Sequence, residues 1–144
     1  MKKLNELTLS KKKSDFEIKT ITSCGDSVDY IRQFYSDDIG IYESFFLLLL
    51  NRANKTIGYA KISQGGVCGT VCDPIIIAKY AIDSLASAVI LCHNHPSGNT
   101  QPSIADKQVT EQVKNGLKLF NVKVLDHIIL TEDSFLSFSE EGIL

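Results

Sequence analysis

Residues 45–50 read Phe-Phe-Leu-Leu-Leu-Leu, six apolar side chains in a row behind Glu43 and Ser44. An unbroken apolar run, closed by the turn-forming Asn-Arg-Ala-Asn-Lys at 51–55, predicts a buried β-strand over 42–50. The run is also far short of the ~20 residues that cross a bilayer. A strand of this kind has to be covered by other layers, and the rest of the chain supplies them.

Residues 56–63 return as the second arm of a hairpin, and 64–70 form a glycine-containing loop. Weak alternation over 16–21 predicts an edge strand. Val28, Ile31 and Phe34 fall three apart, which predicts a short helix over 26–34 with Ser23 or Asp26 as its cap. Asp73-Pro74 opens another helix, with Asp at the N-cap and Pro in the first turn, and Ile76, Tyr80, Ile82 and Leu85 as its apolar side. Residues 86–92 are a second fully apolar strand, followed by a loop over 94–102. Val109, Val113 and Leu117 recur every four residues and mark a helix over 103–119. A strand at 122–130 and a short element after Ser134 complete the chain. The expected class is α/β, a mixed β-sheet flanked by helices in a two- or three-layer sandwich.

The length of 144 residues fits one domain, and no repeat or low-complexity block divides it. The formal net charge of −2 argues against a protein that coats nucleic acid non-specifically. Lys2, Lys3, Lys11, Lys12 and Lys13 are the local exception. They define a flexible basic arm, residues 1–13, ahead of a domain at 14–144. Its plain reading is a solvated tail, and its sharper one a weak contact to nucleic acid or an acidic partner. No apolar core of a secretory signal follows the lysines, and four cysteines in 144 residues do not suggest a disulfide scaffold. A cytoplasmic protein with no membrane contact is the expectation.

The chemistry is concentrated in the stretch Cys-His-Asn-His-Pro-Ser-Gly-Asn-Thr-Gln-Pro-Ser-Ile-Ala-Asp, residues 92–106. His93 and His95 are two apart at the end of a strand, so both side chains leave on one face while Cys92 and Asn94 leave on the other. Two imidazoles so placed can converge on one ion, and Asp106, in the first turn of the next helix, would complete the set. Three protein ligands with a fourth position open is the plan of a catalytic zinc site. Glu43 shares its strand face with Phe45, Leu47 and Leu49. A carboxylate at the mouth of so apolar a strand is costly unless it has a role, and general base is the one assigned to it. Ser103 stands three before Asp106, which is also the pattern of a helix capping box. If Asp106 takes the metal, it is expected to leave that cap, freeing the Ser103 hydroxyl to steady a developing oxyanion.

His93-x-His95, seven residues, Ser103, two residues, Asp106, with Glu43 upstream, resembles the JAMM motif of the JAB/MPN metalloprotease family. The text HNHPSG, then PS and AD, then VLDHIIL and SFSEEGIL, is similar to the RadC branch in particular. The resemblance spans about residues 20–144. It implies a sheet-and-helix sandwich like that of the cytidine deaminases. It also implies a zinc-dependent hydrolase acting on peptide or isopeptide-linked protein, with a single Zn²⁺ on His93, His95 and Asp106. Glu43 would be the base and then the acid to the leaving amine, and Ser103 would support the tetrahedral intermediate. RadC proteins commonly carry a helix-hairpin-helix region before this domain. A chain of 144 residues is expected to lack one, which weakens a DNA-repair role.

The adjacent letters HNH do not make a nuclease, whose residues are spread along a ββα unit. A deaminase would need His-x-Glu and Pro-Cys-x-x-Cys, and neither occurs. An Fe(II) site of two histidines and a carboxylate is disfavoured by the α/β alternation. The non-enzyme alternative is a metal-stabilised binding module in DNA repair or processing, against which an intact Glu43 argues. Cys68 and Cys72 read as unpaired thiols, Cys92 as core, and His127 as a hydrogen-bonded structural histidine.

Overall fold

The computed structural model describes residues 1–65 and 72–144. Its elements are α1 (Cys24–Arg32), a 3₁₀ turn (Asp37–Gly40), β1 (Glu43–Leu50), β2 (Thr56–Gly65), α2 (Pro74–Asp83), β3 (Ala88–Asn94), α3 (Ile104–Lys118), β4 (Lys123–Leu130) and β5 (Phe135–Ser137). The five strands form one mixed sheet in the order β2-β1-β3-β4-β5. The β1–β2, β1–β3 and β4–β5 pairings are antiparallel, and β3–β4 is parallel. The parallel pair follows from its connection: α3 carries the chain back across the sheet between β3 and β4.

The apolar runs become central strands because both of their faces are covered. On one face, Phe45, Leu47, Leu49, Val89 and Leu91 pack with Ile77 and Ala81 of α2 and Val113 and Leu117 of α3. On the other, Leu48, Leu50, Ile90 and Cys92 pack with Val28, Tyr30 and Ile31 of α1. The result is the α/β class expected from the sequence, in three layers. Ser23 caps α1 by accepting the Asp26 amide, and Asp73 caps α2 by accepting the Ile75 amide, with Pro74 in the first turn.

Several sequence expectations shift. The edge strand over 16–21 reduces to a single bridge between Thr20 and Lys55, and β2 forms that edge of the sheet instead. Helix α2 buries Ile77 and Ala81, while Ile76, Tyr80, Ile82 and Leu85 remain exposed. That helix is apolar nearly all round, so its periodicity does not say which face meets the sheet. The second apolar strand runs two residues later than expected and includes Asn94, which is fully buried rather than in a loop. Gln64 and Gly65 end β2; the remainder of the expected loop, 66–70 with Cys68, lies outside the described residues. Residues 1–13 carry no regular secondary structure and are exposed. Among the described residues, no helix is long and apolar enough to cross a membrane.

Candidate metal centre

The site forms at the C-terminal end of β3, where that strand has an antiparallel neighbour on one side and a parallel one on the other. Crevices at the carboxyl ends of strands are where open α/β sheets bind ligands. Phe45 of β1 stands opposite His93. Continuing the antiparallel register by two residues sets Glu43 opposite His95, and their carboxylate and Nε2 atoms are 3.8 Å apart. The two-residue spacing of the histidines puts both on the α3 side of the sheet, with their Nε2 atoms 2.9 Å apart. Helix α3 then brings its first-turn carboxylate over them. Asp106 Oδ1 is 3.3 Å from His93 Nε2, and Oδ2 is 3.3 Å from His95 Nε2.

The two Asp106–histidine distances are those of neighbouring ligands on one ion. Bonds of about 2.0–2.2 Å in tetrahedral directions separate neighbouring ligand atoms by about 3.3–3.6 Å. The donor chemistry fits as well. His95 Nδ1 donates to the Asn99 carbonyl at 2.7 Å, so in the neutral ring the lone pair is on Nε2, which faces the carboxylates. Gly98 makes that bond reachable: its φ of 85° closes the turn after His95, a conformation glycine adopts without strain. Ligand atoms of Glu43, His93 and His95 all lie within 4.8 Å of one another, a group able to hold a metal ion.

The electrostatics match the crowding. Burial pushes the Asp106 carboxyl up, but hydrogen bonds with His93 and His95 outweigh it and hold the group well below the usual carboxylate range. The same contact with Asp106 raises His95. Burial drives His127 well below the ordinary histidine value, so its ring is neutral.

Asp106 does not leave its cap. Its Oδ2 accepts the Ser103 amide at 2.9 Å while Ser103 Oγ accepts the Asp106 amide at 3.0 Å, and the same carboxylate still faces both histidines. The cap and the approach to both histidines therefore coexist in one conformation. A carboxylate has about four lone-pair directions, and the amide occupies one of them. Ser103 Oγ accepts the amide but keeps its own hydrogen to donate.

Three residues around the site were not read as part of it. Phe45 stacks on His93 with ring centroids 5.7 Å apart and planes 1° from parallel. Asn94, between the histidines, anchors the strand carrying Glu43. His127 is fully buried and hydrogen-bonded, as expected of it, but its partner is His93 itself, with Nε2 2.7 Å from His93 Nδ1. Its position beside Asp126 in an apolar strand gave no sign of this, because β3–β4 pairing is what aligns Leu91 with His127.

Residues 21–143 match the description of the RadC-like JAB domain. The chain belongs to that family. Relatives described as UPF0758 proteins agree in this. One from Flavobacterium johnsoniae is 41% identical over 127 residues, 88% of this chain and 55% of the relative. One from Porphyromonas gingivalis is 42% identical over 103 residues, 71% of this chain and 45% of the relative. One from Vibrio cholerae is 41% identical over 118 residues, covering 81% and 74% respectively. The chain spans about half the length of most of these relatives. The matched span includes Glu43, His93, His95, Ser103, Asp106 and His127, so the whole cluster lies within the RadC-like JAB domain.

Proposed function

We propose that this RadC-like JAB domain is a zinc-dependent hydrolase of JAMM type, cleaving a peptide or isopeptide bond in a protein substrate. The observation that carries the reading is the approach of the Asp106 carboxylate to both histidine Nε2 atoms at 3.3 Å, with Glu43 at 3.8 Å from His95. Asp106 touches both imidazoles and Glu43 stands farther off, which supports Asp106 as the third ligand and Glu43 as the base. Zinc held there would polarise a substrate carbonyl and acidify a water.

The residues divide the remaining work. Glu43 accepts the proton of the attacking water as oxygen bonds to the carbonyl carbon, then returns it to the nitrogen as the C–N bond breaks. The Ser103 hydroxyl donates to the oxygen that carries the developing negative charge. Phe45, stacked on His93, keeps water from the inner side of the site. The face of the His93 ring that Phe45 covers is thereby dry.

The test is zinc content and turnover on a peptide and isopeptide library. The expected result is one zinc per chain, turnover abolished by a chelator and restored by zinc, and Glu43→Ala retaining zinc without activity. Iron in place of zinc, or an active Glu43→Ala protein, would overturn the assignment. Zinc binding with no turnover across the library would favour a metal-stabilised binding module.

A further inference from the structure

A chain of hydrogen bonds runs from the backbone of α3 to the candidate ligand His93, and its direction can be worked out. Thr110 Oγ1 lies 2.6 Å from the Asp106 carbonyl oxygen and 2.6 Å from His127 Nδ1. A carbonyl only accepts, so the single hydroxyl hydrogen of Thr110 goes to Asp106. Thr110 must then accept from His127, which places the His127 hydrogen on Nδ1 and leaves Nε2 as a lone pair. His127 Nε2 is 2.7 Å from His93 Nδ1, so His93 donates from Nδ1, and in the neutral ring the lone pair is on Nε2, facing Asp106 and His95. Thr110 and His127 are both buried, so water cannot substitute for either partner.

We propose that His127 and Thr110 form a positioning relay that locks His93 in the Nδ1–H tautomer and so presents its Nε2 for coordination. This rests on the reading of His93 as a metal ligand. A neutral imidazole can carry its hydrogen on either nitrogen, and the wrong choice would put N–H where a cation belongs. Outer partners of this kind are typically worth 10–100-fold in metal affinity. The relay is anchored on the carbonyl of Asp106. The residue that contributes the carboxylate therefore also sets, through two side chains, the protonated nitrogen of a ligand it faces. Ring geometry is held by the same packing: His127 stacks on Phe138 at 4.6 Å and meets Phe45 edge-on at 5.4 Å.

The experiment is ¹⁵N NMR of histidine tautomers in the metal-free full chain at about pH 8, above the ordinary histidine range. Zinc affinity is measured in parallel. In the wild type, His93 is expected as the Nδ1–H form. His127→Leu, which offers no acceptor, should shift His93 toward Nε2–H and weaken zinc by 10–100-fold. His127→Gln, whose side-chain oxygen can accept, should restore the tautomer and most of the affinity. Thr110→Val leaves both histidines in place while removing the acceptor for His127 Nδ1–H, and should also mix the tautomers of His93. A wild-type His93 in the Nε2–H form overturns the proposal, as does an unchanged tautomer in Thr110→Val and His127→Leu. A wild type with the Nδ1–H tautomer but no zinc affinity would sustain the relay and defeat the zinc reading, so the two failures are distinguishable.

Discussion

The side-chain oxygen of Asn94 accepts the backbone amide of Ser44 at 2.7 Å, while its Nδ2 donates to the carbonyls of Ile39 and Tyr42 at 2.6 and 2.8 Å. Glu43 lies between two residues held by that one buried amide. Asn94→Ala would strand a buried amide and two carbonyls, at about 1–3 kcal/mol for each group left without water or another partner. Thermal unfolding should show the loss. Zinc content should survive, because His93 and His95 keep their strand, whereas turnover should fall as Glu43 loses its anchor. Unchanged turnover would show that the placement of Glu43 does not depend on Asn94.

Zinc should stabilise the fold. A ligand that binds only the native state contributes about 2.7 kcal/mol at a hundred times its dissociation constant. Calorimetry with and without chelator should therefore show a zinc-dependent rise in Tm. Asp106→Ala is expected to abolish that rise and Glu43→Ala to keep it. Equal loss in the two variants would place Glu43 among the ligands.

Phe45 supports both the core and the site. It is 3% exposed and stacked on His93. Phe45→Ala should cost about 3–5 kcal/mol, the usual range for an aromatic removed from a close-packed core. Phe45→Leu should cost less and still loosen zinc, since the flat surface against His93 is gone. Denaturant unfolding and zinc titration separate the two effects.

The cap of α1 carries a pH dependence. Asp26 accepts the Thr22 hydroxyl at 2.6 Å and its amide at 2.9 Å, and these bonds lower its pKa from 3.8 to about 2. The folded value lies below the unfolded one, so the contribution is complete above about pH 4 and is lost as pH falls through the folded value. Tm should drop between about pH 4 and pH 2, and the drop should be smaller in Asp26→Asn. Parallel pH profiles would remove Asp26 as a source.

Much of this protein is legible from local sequence, for a physical reason. Side chains alternate along a strand, so the parity of His93 and His95, and of Glu43 with Phe45, Leu47 and Leu49, puts each set on one face without knowledge of the neighbours. Capping is equally local, and Ser23, Asp73 and the Ser103–Asp106 box are readable within four residues. Tertiary structure decided what depends on which strands are neighbours and in what register. It made His127 the partner of His93 and Asn94 the clamp beside Glu43, and it turned Ile77 and Ala81 of α2 toward the sheet. It also showed that Asp106 holds its cap and faces both imidazoles at once. Parity says which way a side chain points, whereas only the packed sheet says what it meets there.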